Sequence, residues 1–364
     1  MTETLTRLLH DRADDVRFDR IDVGAVTQAG SHAVRRRRWA AAASAAAVVA
    51  AIGLVAVVPW PADHQTPPAA PAAAAEITWA SGTVLHTSTG DIDLGHEVAA
   101  YVRTSAGYVF TDGRQVYSYA DGEVRDVGPI RSIPPLQGPP RIVGDPDSTV
   151  AAWADGSEYV VLDQRTGELR RFFATPYPQL VTVRGNTLYV RGQSDSFAID
   201  AGTGTVRAVG DLNASDLTLI DVAGDTVLAL DGEGRLVTGP GGRQVLLPSP
   251  VPDSASLSPD GHRAVDGYSI FSGPVQSFDL RTGAHTKLPI DAFTAYPYEW
   301  LDGDTLALLS LPTAYDHYQL LTCDVSGPAC RVAVPDLGEG RDDGGNGVGF
   351  VLPTGEPFFP YPHA

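Results

Sequence analysis

Cysteine is nearly absent from this chain: 364 residues hold two, Cys323 and Cys330, and none precedes position 323. A lipidated anchor, which needs a cysteine just behind its apolar segment, is thereby excluded, and so is a His/Cys zinc motif in the N-terminal part. Basic charge is also short. Residues 1–38 carry eight arginines against six acids, a balance of +2, which leaves 18 basic and 38 acidic residues, or −20, for the remainder. A surface so negative repels phosphate backbones, so nucleic acid is not expected as a partner. Two catalytic strings are missing as well. There is no G-x-S-x-G nucleophile elbow, nor spare chain for the α/β domain that such an elbow requires. The nine histidines show no H-E-x-x-H or other short metal spacing. Between 76 and 364 no amphipathic helical pattern of useful length occurs.

Charge vanishes altogether from Ala40 to Val58, nineteen residues in which Ser44 is the only polar side chain. At about 1.5 Å per helical residue, Trp39 and Trp60 at its edges stand roughly 31 Å apart, near the thickness of a bilayer's hydrocarbon core. Indole rings favour the headgroup layer, and the block Arg35, Arg36, Arg37 and Arg38 favours the cytoplasmic side. The pattern predicts one transmembrane helix over 39–60 with the N-terminus inside. A cleaved signal carries its apolar stretch near the start and its cleavage site directly behind. Here 38 residues come first, and the nearest small-residue run, AAAAE at 72–76, lies more than a dozen residues past the membrane edge. The segment is therefore expected to remain as a signal-anchor in the cell membrane. It divides the chain into a cytoplasmic tail (1–38), the span (39–60), a Pro/Ala linker (61–75) and an extracytoplasmic domain (76–364).

The last region is rich in short runs of Val, Leu, Tyr and Thr punctuated by Gly, Asp-Gly or Pro, which is the texture of an all-β domain. It also repeats. YSYADGEVRDV, VVLDQRTGELRRF, FAIDAGTGTVRAV, LVTGPGGRQVLL, SFDLRTGAHTKL and LTCDVSGPACRVAV align on turn glycines at Gly122, Gly167, Gly204, Gly242, Gly283 and Gly327, spaced 45, 37, 38, 41 and 44. A second turn and strand recur upstream of each, so a unit holds about four strands at a period near 40, the signature of a propeller blade. The glycines are read as structural, because tight hairpin loops need positive φ. In CDVSGPAC a two-residue loop at Ser326-Gly327 sets 325 opposite 328, 324 opposite 329 and Cys323 opposite Cys330, within bridging distance. A disulfide is expected outside the cytoplasm, free buried thiols being the alternative.

LSPDGHRAV followed by SFDLRTGAHTKL is similar to the repeat of WD40-like and TolB-like β-propellers, with Leu257, Ser258, Pro259, Asp260 and Gly261 matching its first half and Asp279, Thr282 and Gly283 its second. Asp163 with Thr166-Gly167 and Asp200 with Thr203-Gly204 keep the second half only, and the Gly-His and Trp-Asp dipeptides of WD40 blades are missing. The resemblance covers roughly 76–364 and implies a fold, not an activity. Six units fill about 98–334, while HTSTGDIDLG (86–95) and VGFVLPTGEPFF (348–359) each read as part of a blade. Since a ring leaves no sheet edge open, seven four-stranded blades are expected, one shared by the two ends; six or eight are the alternatives.

No catalytic residue and no cofactor is expected. The acidic loop GEGRDDGGNGVG offers Asp342, Asp343 and Asn346 as oxygen ligands for Ca²⁺ but lacks the D-x-D-x-D-G spacing, which favours an ordinary solvated loop. FATPYPQL and FTAYPYEWL put Tyr177, Tyr296, Tyr298 and Trp300 into inter-strand loops, as blade packing or as a binding face. In the tail, Leu5, Leu8, Leu9 and Val16 recur at helical spacing, so one face is available to a cytoplasmic partner; the alternative is a tail that only fixes topology. This start, arginine block and anchor resemble the small cytoplasmic ends of high-GC bacterial envelope proteins, some of which restrain sigma factors. Two functions stay open. One is a non-enzymatic binding, scaffold or sensor propeller for a protein, peptide or glycan; the other is a propeller enzyme such as a glycan lyase or hydrolase. Carboxylates clustered with Arg or His at the channel would favour the enzyme.

Overall fold

Runs of β-branched and aromatic residues too short to cross a core alone pair with the run that follows them, and every such pairing here is antiparallel. The structure is a computed structural model that describes residues 76–131, 141–173, 179–192, 196–209, 217–231, 236–240, 245–247, 255–266, 275–313, 317–327, 329–338 and 349–357, with 236–240 and 245–247 described by backbone alone. The tail, the anchor with Arg35 to Arg38, Trp39 and Trp60, the linker, Tyr177, Gly242 and the loop bearing Asp342, Asp343 and Asn346 lie outside the described residues.

Three strands come first: β1 (Trp79–Ser81), β2 (Val84–Thr87) and β3 (Gly90–Asp93). Six sets of four follow. They are β4 (Ala100–Thr104), β5 (Gly107–Thr111), β6 (Gln115–Ala120) and β7 (Glu123–Pro129); then β8 (Ile142–Gly144), β9 (Val150–Asp155), β10 (Glu158–Asp163) and β11 (Glu168–Phe173). Next are β12 (Gln179–Arg184), β13 (Thr187–Arg191), β14 (Ser196–Asp200) and β15 (Val206–Ala208), and β16 (Thr218–Ala223), β17 (Thr226–Leu230), β18 (Leu236–Pro240) and β19 (Val245–Leu247). The last are β20 (Ser256–Leu257), β21 (Arg263–Asp266), β22 (Gln276–Asp279) and β23 (His285–Lys287), and β24 (Thr294–Trp300), β25 (Thr305–Leu311), β26 (Gln319–Asp324) and β27 (Ala329–Val334). Each set of four is one sheet in chain order. No helix occurs among the described residues. The arrangement is an all-β propeller with six four-stranded blades, accompanied by the three-stranded sheet β1-β2-β3.

Burial explains the composition of the strands. Inner and middle strands are covered on both faces by neighbouring blades, so they read as near-continuous apolar runs, such as Tyr159 to Leu162 in β10 and Leu306 to Leu309 in β25. Fully burying each Val or Leu of these runs contributes about 1.5 to 3 kcal/mol. Outermost strands such as β11 and β27 alternate with solvent and carry the charged residues. Seven apolar clusters fill the boundaries between consecutive sheets. One joins β4–β7 to β8–β11 through Val109, Ile142 and Trp153. Another carries Leu85 and Leu94 onto Tyr101 and Phe110. A third sets Leu309 and Leu320 against Phe350 and Leu352. Polar ties cross the same boundaries: buried Gln164 donates through Nε2 to the Tyr108 carbonyl (2.9 Å) and Ser118 Oγ (3.0 Å), and accepts from Thr104 Oγ1.

The C-terminal residues act as a clasp. Val351 exchanges both backbone hydrogen bonds with Ala80 of β1, at 2.9 and 2.8 Å. Gly355 donates to the Tyr101 carbonyl (3.0 Å) and accepts from the Ile142 amide (2.8 Å), so four residues on it touches β4 and β8. Its φ of +76° and the approach of Ile142 O to within 1.9 Å of any added Cβ leave room for glycine alone.

The D-x-x-T-G turns form as their chemistry requires. Asp279 Oδ1 accepts from the Arg281 and Thr282 amides (both 2.9 Å), and Asp200 Oδ1 from Thr203 (2.7 Å). The Thr282 and Thr203 amides are the chief causes that hold these carboxyls below the ordinary carboxylate range. Gly283 and Gly204 follow with φ of +76° and +70°. The expectation of positive φ fails at Gly327, which lies outside the left-handed region. There the Asp324 carboxylate fastens the turn instead, accepting from Ser326 N (2.8 Å) and Gly327 N (3.2 Å). Cys323 and Cys330 are directly opposed on β26 and β27, with Cα atoms 4.1 Å apart, and form the disulfide.

Candidate functional site

The first strand of every four-stranded blade borders a central channel with a cavity of about 600 Å³, and residues 353–357 supply the remaining wall. An innermost strand is an edge strand, so its channel-facing backbone has no ladder partner and tolerates irregularity. Three of these strands use that freedom. Bulges between Leu180 and Thr182 in β12, Leu219 and Asp221 in β16, and Pro297 and Glu299 in β24 each insert one unpaired residue. A bulge breaks strict alternation and re-aims the side chains that follow it. In this way the neighbours Val181 and Thr182, Ile220 and Asp221, and Tyr298 and Glu299 all line the channel.

FTAYPYEWL was expected to be a loop. It is a strand, β24, because Pro297 sits on an inner edge at a bulge, where its missing N–H costs no ladder bond. Tyr296 and Tyr298 line the cavity while packing against the Leu309 cluster, so packing and channel lining are served together. Trp300 is buried and donates through Nε1 to Ser256 Oγ at 3.1 Å, bridging β24 to β20.

Charge in the channel is organised in pairs. Arg103 of β4 meets Glu299 of β24 at 2.9 Å, with 12% of each side chain exposed. Burial pushes the Glu299 carboxyl up to about 7 against the opposing pull of Arg103. Burial likewise holds the Tyr298 hydroxyl well above its ordinary value, with the Glu299 charge adding to the effect. Arg184 lies 3.5 Å from Asp221 and donates through Nε to the Val222 carbonyl at 2.9 Å. Both Asp221 oxygens are engaged, accepting from the Val222 amide (2.8 Å) and the Leu257 amide (2.9 Å). Arg141 makes one side-chain hydrogen bond among the described residues, from Nη1 to the Leu180 carbonyl at 3.4 Å. Arg103 Nη2 is satisfied by its ion pair with Glu299 Oε1, whereas three buried polar atoms on lining residues make no hydrogen bond among the described residues: Arg141 Nε, Tyr298 Oη and Glu299 Oε2. Such groups are rare in folded proteins and call for a partner from outside the chain.

Sequence reading did not find Arg103, Arg141, Arg184, Asp221, Glu299 or Glu356, which the ring gathers from separate blades. None of the described histidines lines the channel: His96 stacks on Tyr117, His317 bonds Asp336 at 2.7 Å, and no group of three metal-ligating side chains occurs among the described residues. One constellation comes as a surprise. Ser81 Oγ, His86 and Asp91 form a chain, with Nε2 of His86 2.8 Å from the serine and Nδ1 2.8 Å from the carboxylate. It has the order of a Ser-His-Asp triad. However, it runs across the β1-β2-β3 face outside the channel walls, with 67% of the Asp91 side chain exposed, and it borders no part of the cavity. We read it as a cross-strand polar ladder.

No protein-family model matches the chain, and no curated protein is significantly similar to it. Solved structures are similar at low identity. Apo AztD from Citrobacter koseri is 11% identical with a TM-score of 0.47, over 76% of this chain and 96% of that one. TolB from Acinetobacter baumannii is 12% identical with a TM-score of 0.40, over 70% and 62%. Hsv2 from Kluyveromyces lactis is 12% identical with a TM-score of 0.42, over 63% and 74%. At such identities the likeness concerns fold alone.

Proposed function

We propose that this protein is an envelope-anchored binding module: a signal-anchor at 39–60 holds a propeller outside the membrane, and the propeller's channel takes up a ligand without transforming it. The observation that carries the reading is the 600 Å³ channel whose lining retains buried polar atoms with no partner among the described residues. The ring counts seven blades in this reading, with Phe350 to Leu352 completing the β1-β2-β3 sheet through the Val351–Ala80 bridge. Anchoring rests on the uncharged stretch, its flanking tryptophans and the arginine block. A cysteine placed at Gln28 should resist a membrane-impermeant thiol reagent in intact cells, and one at Gln65 should react; the reverse pattern would remove the anchor.

Glu299, lifted to about 7 beside Tyr298, favours a second reading as a glycan lyase or hydrolase. Hydrolysis needs a second free carboxylate as base or nucleophile. Asp221 has both oxygens held by backbone amides, which leaves Glu356 as the other lining carboxylate for that role. Binding is the first reading because Glu299 is already paired with Arg103. The test is an array of small glycans and peptides probed with the wild type and with Glu356→Trp, which fills the channel. Binding lost in the variant, with the ligand recovered intact, supports the module. Binding unchanged by the plug places the site elsewhere, and a consumed ligand makes the protein an enzyme.

A further inference from the structure

We propose that the channel recognises a ligand bearing a single carboxylate, which docks on Arg141. The inference rests on the binding reading above and names its chemistry.

Of the three guanidinium groups that line the cavity, Arg103 has Glu299 and Arg184 has Asp221 as a counter-ion. Arg141 has no carboxylate within ion-pair distance among the described residues. Among the described residues its only acceptor is the Leu180 carbonyl at a long 3.4 Å, and its buried Nε has none. A guanidinium presents five donors in a rigid fork whose geometry suits a carboxylate bound by two parallel hydrogen bonds. Acids are not scarce in this protein, which holds 44 Asp and Glu against 26 Lys and Arg. An arginine left without one inside a cavity is therefore conspicuous. It is also held in place: Ile142, its chain neighbour, donates its amide to Gly355 of the clasp.

The rest of the lining limits the ligand's charge and size. Three guanidinium groups, Arg103, Arg141 and Arg184, face three carboxylates, Asp221, Glu299 and Glu356, a lining with no net surplus of positive charge to hold a dianion such as a phosphate monoester. A monoanion needs only the one guanidinium that has no carboxylate at ion-pair distance among the described residues. About 600 Å³ far exceeds a bare carboxylate and accommodates a body of two or three rings or residues, for which Tyr296, Tyr298 and Pro297 offer apolar walls.

Two sources share this chemistry, an acidic saccharide and a peptide's C-terminus. The full chain in detergent micelles is titrated calorimetrically with a glucuronyl-glucose disaccharide and with the tripeptide N-acetyl-Ala-Tyr-Ala, each carrying one carboxylate, beside its neutral counterpart, the methyl ester or the C-terminal amide. One acid should bind at least about tenfold tighter than its neutral form, and Arg141→Gln should erase that preference while Arg141→Lys keeps part of it. Raising ionic strength should weaken the wild type and leave Arg141→Gln unmoved, a readout that a merely misfolded variant cannot reproduce. Equal affinity for acid and neutral forms, an acid preference that survives Arg141→Gln, or no binding of either acid at millimolar concentration overturns the proposal. If neutral probes bind and Glu356→Trp blocks them while Arg141→Gln does not, the channel reading stands and this inference alone falls.

Discussion

Replacing Glu299 by glutamine should stabilise the propeller at alkaline pH, although it breaks an ion pair. The carboxyl rises from 4.5 to about 7 on folding, burial being the larger cause and Arg103 the opposing one. Below about pH 4.5 the group is protonated in the folded and the unfolded chain and adds no pH term. As pH climbs from there toward 7 the unfolded chain releases its proton first, so stability declines, and above about 7 the loss levels off at about 3 kcal/mol. Glutamine keeps the shape of the neutral acid and cannot ionise. The variant should match the wild type near pH 4.5 and exceed it by about 3 kcal/mol at pH 8, or about 5 °C in melting temperature for a domain of this size. Urea unfolding of the Ala69–Ala364 unit at both pH values measures this, and all other titrations cancel in the difference between variant and wild type. A variant less stable than wild type at pH 8 would show that the Arg103 attraction exceeds desolvation, and the reasoning would be refuted.

Three further outcomes are expected. Gly355→Ala should destabilise the domain by roughly 2 to 4 kcal/mol, since a Cβ would meet Ile142 O at 1.9 Å in a left-handed backbone; a thermal midpoint equal to wild type would contradict the clasp. Reducing Cys323–Cys330 should lower stability by at most about 2 to 3 kcal/mol, the loop being short, and two titratable thiols in the protein purified without reductant would contradict the disulfide. Ser81 should not react with a fluorophosphonate probe, and labelling that disappears in His86→Ala would turn the polar ladder into a hydrolytic site.

The propeller was legible in the sequence because its markers are local. Asp163, Asp200 and Asp279 each bind amides two or three residues ahead, so aspartate, threonine and glycine recur at fixed offsets in every such turn. The Cys323–Cys330 pairing was legible for the same reason, as hairpin register follows from loop length. The channel was not. Arg103 and Glu299 are 196 positions apart and meet only when the ring brings β4 and β24 together. The bulge that turns Tyr298 and Glu299 to the same side leaves no trace in a two-residue alternation, and Pro297 made a strand read as a loop. A carboxylate embedded in an aromatic run, as in YPYEW, was the one local sign that something polar had to be accommodated there.

The clasp has a consequence for biosynthesis. Ala80 is made about 275 residues before Gly355, so at 5–20 residues per second the first sheet waits roughly 15 to 55 s for the segment that pairs with its edge. Throughout that interval β1 presents an open edge, and the Phe350 and Leu352 side of the last cluster is missing. Blades with complete hairpins can form one after another as they emerge, but the circle shuts in a single late event. Chaperones that shield strand edges would therefore matter most in that interval. A ribosome stalled shortly before codon 351 would hold an open chain of blades, prone to pair with a neighbour's edge.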